Sequence, residues 1–263
     1  MATAAPTNSL PLFYEGLEPL NLNQHGKMKL RRIEENRAMG ATHAVPATID
    51  EFTLLQRHYP IIFSVGDNPL PLALMGLTEG INTFFDEKGH AVEGQVYVPA
   101  YMRRYPFLLA RLTEGSEDMS LCFDPTSGAV GDFKDGEPLF DDGQPSEATK
   151  AVLSFCEQFE GAGQRTNAFM ADLVKSGLLM DGEVSIQPVG ADQPFVYRGF
   201  QMVDEQKLRD LRGDELRKMS QNGMLPLIYA HLFSLSLLRD LFTRQVSQGK
   251  GPIPALQPEP AEA

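Results

Sequence analysis

The chain has no tryptophan and only two cysteines among 263 residues. Two thiols cannot build the disulfide framework of a small secreted scaffold. Cys122 and Cys156 both fall in apolar runs, where they read as small core hydrophobes. Basic residues are scarce too: 23 Lys and Arg face 35 Asp and Glu, for a formal net charge of -12. That balance argues against a nucleic-acid partner or an anionic membrane surface, because phosphate binding needs a basic face. Long apolar runs are also missing. The longest, Met224 to Leu238, is interrupted by Pro226, His231, Ser234 and Ser236. It falls short of the roughly 20 residues of a membrane span, so it reads as a buried helix. The opening residues, MATAAPTNSLPLF, lack a basic region followed by an apolar one, so no secretory signal is read and the cytoplasm is the expected compartment.

The motifs that are missing narrow the chemistry further. There is no Walker-type loop, and Gly161-Ala162-Gly163 follows a helical pattern where a dinucleotide fingerprint would follow a strand. No G-x-S-x-G elbow occurs. The histidines, His25, His43, His58, His90 and His231, include no pair at metal-ligand or H-E-x-x-H spacing. The acidic stretch from Asp124 to Pro145 lacks the regular carboxylate order of a calcium loop. No cofactor or metal is therefore expected from motifs.

What is present is a succession of short apolar runs and turns, followed by longer helical patterns. Residues 1–11 and the proline-rich acidic end, 249–263, carry no periodicity and are expected to be flexible, leaving one domain over 12–245. From Lys27 to Arg31 charges alternate with Met28 and Leu30, the period of a solvated edge strand. Its basic patch, extended by Arg32 and Arg37, is expected to be neutralised by Glu34 and Glu35. Runs at Ile61–Val65, Leu70–Leu77 and Ile81–Phe85, separated by turn residues, predict an antiparallel meander. At Ser146 the period becomes helical, with Val152, Cys156 and Phe159 on one face. Gly161 to Gly163 are expected to end that helix before a second one carrying Phe169 and Leu173 and closed by Gly177. Strands follow at Val184–Ile186 and Pro194–Val203, then short helices capped by Asp204 and Asp214. A long last helix carries Ile228, His231, Leu235, Leu238 and Phe242 on one stripe. The fold class is α+β, an antiparallel or mixed sheet from the N-terminal half packed with helices from the C-terminal half.

Chemistry is densest from Gln95 to Leu112, QVYVPAYMRRYPFLLARL. Gln95–Val98 reads as a short strand, and Pro99 suits the first position of a helical turn. Pro106 ends that turn at Tyr105, and Phe107–Leu112 returns as a buried strand. Tyr101, Arg103, Arg104 and Tyr105 then sit on a proline-framed corner. Adjacent arginines point different ways, so one should face the core boundary and the other solvent or a ligand. A guanidinium offers a planar fork of donors to carboxylate or phosphate. The plainer reading, favoured in so acidic a chain, is a pair bridged to acidic groups of the same fold. His231, on the apolar stripe, and His25, at a strand start, are further candidates. Each is more simply a hydrogen-bonded core histidine.

Several segments resemble the SapC family of bacterial proteins: YPIIF at Tyr59–Phe63, YVPAYMRRYPF at Tyr97–Phe107, LFDDG at Leu139–Gly143 and IYAHL at Ile228–Leu232. Gly199-Phe200, Val203-Asp204-Glu205 and Lys207-Leu208 extend the likeness, which runs from about His25 to Leu238. His25, Arg103, Arg104, Asp141 and His231 match recurrent positions of that family. The resemblance implies an accessory role in handling surface-layer or other exported proteins or peptides. Two functions follow as expectations. One is a cytoplasmic binding protein whose face near Tyr101, Arg103, Arg104 and Tyr105, with His25 and His231, holds a peptide or surface-layer subunit. The other is a metal-dependent, oxygenase-like modifying enzyme in which His25, His231 and a carboxylate such as Asp141 converge in space.

Overall fold

The computed structural model describes residues 10–33, 35–92, 94, 96–112, 118–187 and 193–251. The expectations for residues 1–9, Gln95 and 252–263 lie outside the described residues.

Turn chemistry interrupts the apolar runs of the first half every few residues, so its strands stay short. β1 (Glu18–Pro19), helix α1 (Leu22–His25), β2 (Lys29–Leu30), α2 (Arg37–Gly40) and β3 (Ala44–Pro46) come first. They lead to α3 (Phe52–Leu55), β4 (Ile61–Phe63), β5 (Pro71–Leu74), α4 (Ala100–Arg104), β6 (Phe107–Ala110) and β7 (Ser120–Phe123). The acidic stretch holds β8 (Val130–Gly131), β9 (Glu137–Pro138), β10 (Phe140–Asp141) and β11 (Gln144–Pro145). The second half is built from α5 (Glu147–Lys175), β12 (Leu179–Ile186) and β13 (Phe195–Val203). Helices α6 (Glu205–Arg209), α7 (Gly213–Gln221), α8 (Met224–Ser234) and α9 (Leu237–Ser247) complete it. The architecture is α+β, with antiparallel sheets and helices concentrated toward the C-terminal half.

The main sheet runs β12-β13-β4-β5-β3. Its two longest strands come from the second half and extend the N-terminal set. The meander differs from expectation at its third run: Ile81–Phe85 makes only an isolated bridge, Phe85 to Ala91, and β3 pairs with β5 in its place. Asn82 explains the difference. Its amide donates to the Met39 and Thr42 carbonyls, and its oxygen accepts from the Phe84 and Phe85 N–H groups. A side chain that holds the backbone locally in this way competes with strand pairing. β2 also departs from the edge-strand reading, being the centre of a three-stranded sheet β8-β2-β9.

Where β13 meets β4 the ladder is thin, with the single pair Gln201↔Phe63. Two residues further the same register sets Val203 opposite Ile61, and there α8 takes the bonds. His231 Nδ1 lies 2.7 Å from the Ile61 carbonyl oxygen, and its Nε2 accepts from the Val203 N–H at 3.1 Å. Ser234 Oγ accepts from the Ile61 N–H at 2.8 Å. The helix is thus joined into the sheet through two side chains.

α5 is one helix of 29 residues, about 44 Å long. Ser146 caps it, accepting from the Thr149 N–H at 3.2 Å, and Gly177, at φ 69°, follows its end. The expected break at Gly161–Gly163 does not occur. Cys156, Ala162, Thr166, Phe169, Met170 and Leu173 form one buried stripe through the glycines. Burying side chains as large as Phe169 and Leu173, at about 1.5–3 kcal/mol each, outweighs the ~1 kcal/mol cost of each interior glycine. α5 spans both apolar clusters. Val152 and Cys156 pack with Phe107, Phe123 and Leu139, while Phe169 and Leu173 join the main core around Phe52, Tyr59 and Phe63.

The last apolar segment is longer than the sequence reading gave it. Met224–Ser247, 24 residues, is long and apolar enough to cross a membrane by length and composition alone. In the fold it divides at Leu235–Ser236 into α8 and α9, and Ile228, His231, Leu238 and Leu241 are buried. α6 begins at Asp204 as expected, but the N-cap position of α7 is Arg212, whose N–H donates to the Glu215 carboxylate, which leaves Asp214 in the first turn.

Candidate functional site

The corner forms as its prolines dictate. Pro99 stands at the N-cap of α4, Tyr105 leaves helical geometry at ψ 135° before Pro106, and β6 follows. The segment before it is not a strand, because its groups are tied elsewhere. Tyr97 donates its hydroxyl to Glu51, and its carbonyl accepts from the Tyr59 hydroxyl. Glu51, a buried carboxylate that sequence reasoning passed over, organises this end. It accepts from the Ala100 N–H at 2.7 Å, covering a free donor of the helix start, and lies 3.6 Å from Arg103. Its sequence signal is Thr48-x-x-Glu51, a capping-box spacing. Burial, reinforced by the bond to Glu51, pushes the Tyr97 phenol up to about 12.

The two arginines do diverge. Arg104 is 8% exposed, sits 3.5 Å from Glu160, and places its guanidinium 4.4 Å from the Phe159 ring centroid and 4.8 Å from that of Tyr101. Arg103 remains 46% exposed, donates from Nε to the Val98 carbonyl, and lies over the Phe155 and Tyr97 rings. Tyr101 is buried, with its hydroxyl 3.3 Å from the Leu12 carbonyl. Tyr105 is half-buried, with its hydroxyl 3.5 Å from an Asp124 oxygen.

Beside the corner opens a cavity of about 1100 Å³. One wall is Met102, Arg103, Arg104 and Tyr105 from the corner; a second is Ala151, Val152, Phe155 and Cys156 from α5. The third is Leu30 through Ile33, running out of β2, with Asn36 and Met39 beyond it. Phe85 and His90 close one end. Arg31 and Arg32 are therefore groove residues, which the edge-strand reading of that basic patch missed. Glu35, expected to neutralise them, is paired with Lys88 at 2.7 Å, and Glu34 lies outside the described residues. Cys156 sits in the wall as an inert thiol, pushed up to about 11 chiefly by burial.

The two histidines expected near this face are elsewhere, and both are occupied. His25 is buried against Phe123, accepts from the Asn21 N–H on Nδ1 and lies 3.0 Å from Glu18 through Nε2. His231 is the sheet bridge described above, fully buried, its pKa lowered to about 4 mainly by desolvation. Neither lines the groove, which corrects their placement beside Arg103. Asp141 is exposed in the β10–β11 hairpin. The converging metal triad of His25, His231 and Asp141 is thus not assembled, and among the described residues no three His, Cys, Asp or Glu side chains are placed to hold a metal ion.

Fold and site together define a class: an α+β scaffold presenting an apolar groove rimmed by arginines. Within that class the chain belongs to the SapC family, whose model matches residues 20–241. No curated protein and no solved structure matches it.

Proposed function

We propose that this SapC-family protein is a binding protein that holds a polypeptide segment in the groove, as an accessory in handling surface or exported proteins. The observation that carries this reading is the groove itself, in which guanidinium groups share the lining with Met39, Val98, Met102 and Phe155. Arginine and aromatic side chains clustered in one concavity are the residue types that dominate protein interfaces. Its volume of about 1100 Å³ stands at the upper end of ordinary small-molecule sites, which leaves room for a stretch of chain. A photo-cross-linking side chain at Ala151, exposed on the groove wall, should trap polypeptide in cells. The same group at Ser154, exposed on α5 outside the groove lining, should not. Equal trapping at the two positions, or none at Ala151, would remove the groove from the function.

A further inference from the structure

Resting on that reading, we infer that the occupant of the groove is acidic: a peptide segment whose carboxylates alternate with apolar side chains. Four guanidinium groups, those of Arg31, Arg32, Arg103 and Arg104, line the groove, against one lining carboxylate among the described residues, that of Glu137, while the lining His90 faces Asp86 at 3.6 Å. This is a local reversal of sign in a chain where acids exceed bases by 12, 35 against 23.

The fold's own acids answer only one side of it. Arg103 faces Glu51 and Arg104 faces Glu160, whereas Arg31 and Arg32 have no carboxylate partner among the described residues. Arg31 Nε donates to the Gly128 carbonyl, and its guanidinium lies 4.0 Å from the Phe133 ring centroid, which fixes its orientation without a carboxylate among the described residues. Arg32 forms no ion pair or hydrogen bond among the described residues and is exposed.

A carboxylate suits the exposed guanidinium groups of Arg31 and Arg32, because it carries only acceptors and pairs with guanidinium through two parallel bonds. The apolar surface of Ile33, Met39, Val152 and Phe155 between the cations sets the remaining requirement, aliphatic or aromatic side chains between the acids.

The test uses the purified full chain and fluorescein-labelled peptides alternating Glu with Leu, or Gln with Leu, read by anisotropy. The Glu peptide should bind at least about tenfold tighter, equivalent to ~1.4 kcal/mol. That preference should shrink at high salt, since exposed charge pairs are screened. The double variant Arg31→Gln, Arg32→Gln should abolish it with the melting temperature unchanged, and Arg103→Gln alone should reduce it. If the Gln peptide binds as well, the acidic inference fails while groove binding stands. If neither peptide binds although Ala151 still traps polypeptide, the inference also fails and the groove reading survives. Should decanoate bind and compete where peptides do not, the occupant is a lipid-like acid and the inference is wrong.

Discussion

Arg104 is the residue on which the corner's energetics turn. Its guanidinium is enclosed by Phe159, Tyr101 and Tyr14 and faces a Glu160 side chain that is one-third exposed. Removing one partner of a buried ion pair costs about 3–5 kcal/mol, and the partial exposure of Glu160 lowers that expectation to roughly 2–3. Arg104→Ala should therefore lower the unfolding free energy read from urea titration by that amount, whereas Arg104→Met, which retains an apolar stem among the rings, should lose less. An equal loss in both would mean that the charge, with no contribution from packing, holds the site. The sequence indicated that one arginine would face inward and one outward, because neighbours on a helical turn must. It could not indicate that Arg103 would meet Glu51, 52 positions earlier, since that pairing depends on where α3 leaves the chain.

At the scale of elements, α5 makes a direct prediction. A Cβ added to Gly163 meets nothing within 4 Å, and one added to Gly161 meets only the Arg165 side chain at 3.5 Å. Both glycines are helical, so Gly161→Ala and Gly163→Ala should each stabilise by about 0.5–1 kcal/mol, read as a rise in thermal midpoint. Gly182→Ala should do the reverse, because its Cβ would lie within the Phe200 ring contact. Helix starts at Ser146 and Asp204 and the end at Gly177 were legible from side-chain chemistry that acts within a few residues. The continuity of α5 and the fate of Ile81–Phe85 were not. The first is set by a stripe packing against two separate clusters, the second by Asn82 reaching Met39 and Thr42. Arg31 and Arg32 were hidden for the same reason: alternation marked a strand with one wet face, while α5 and α4, distant in sequence, turn the ground beyond it into a wall.

Across the whole molecule, the two long C-terminal strands and the short N-terminal ones form one sheet through a narrow junction bridged by His231. In the fold that imidazole accepts a backbone N–H and stays neutral, its pKa lowered from 6.5 to about 4 by burial, with the bond to Ile61 opposing the shift. Between those values the unfolded chain binds a proton that the folded chain does not. Stability is then complete above about pH 6.5 and falls as pH drops toward 4, at ~1.4 kcal/mol per pH unit, roughly 3 kcal/mol in all. His231→Gln should start out less stable at pH 7, and the gap to wild type should close between pH 6 and 4.5 in urea titrations. A gap independent of pH would show that the fold does not hold the ring's pKa below its unfolded value.

Because the Val203 amide proton rests on an aromatic nitrogen, it lies in that ring's magnetic field and its resonance should stand apart from the other strand amides. Followed during acidification, that one signal would serve as a spectroscopic gauge of the junction.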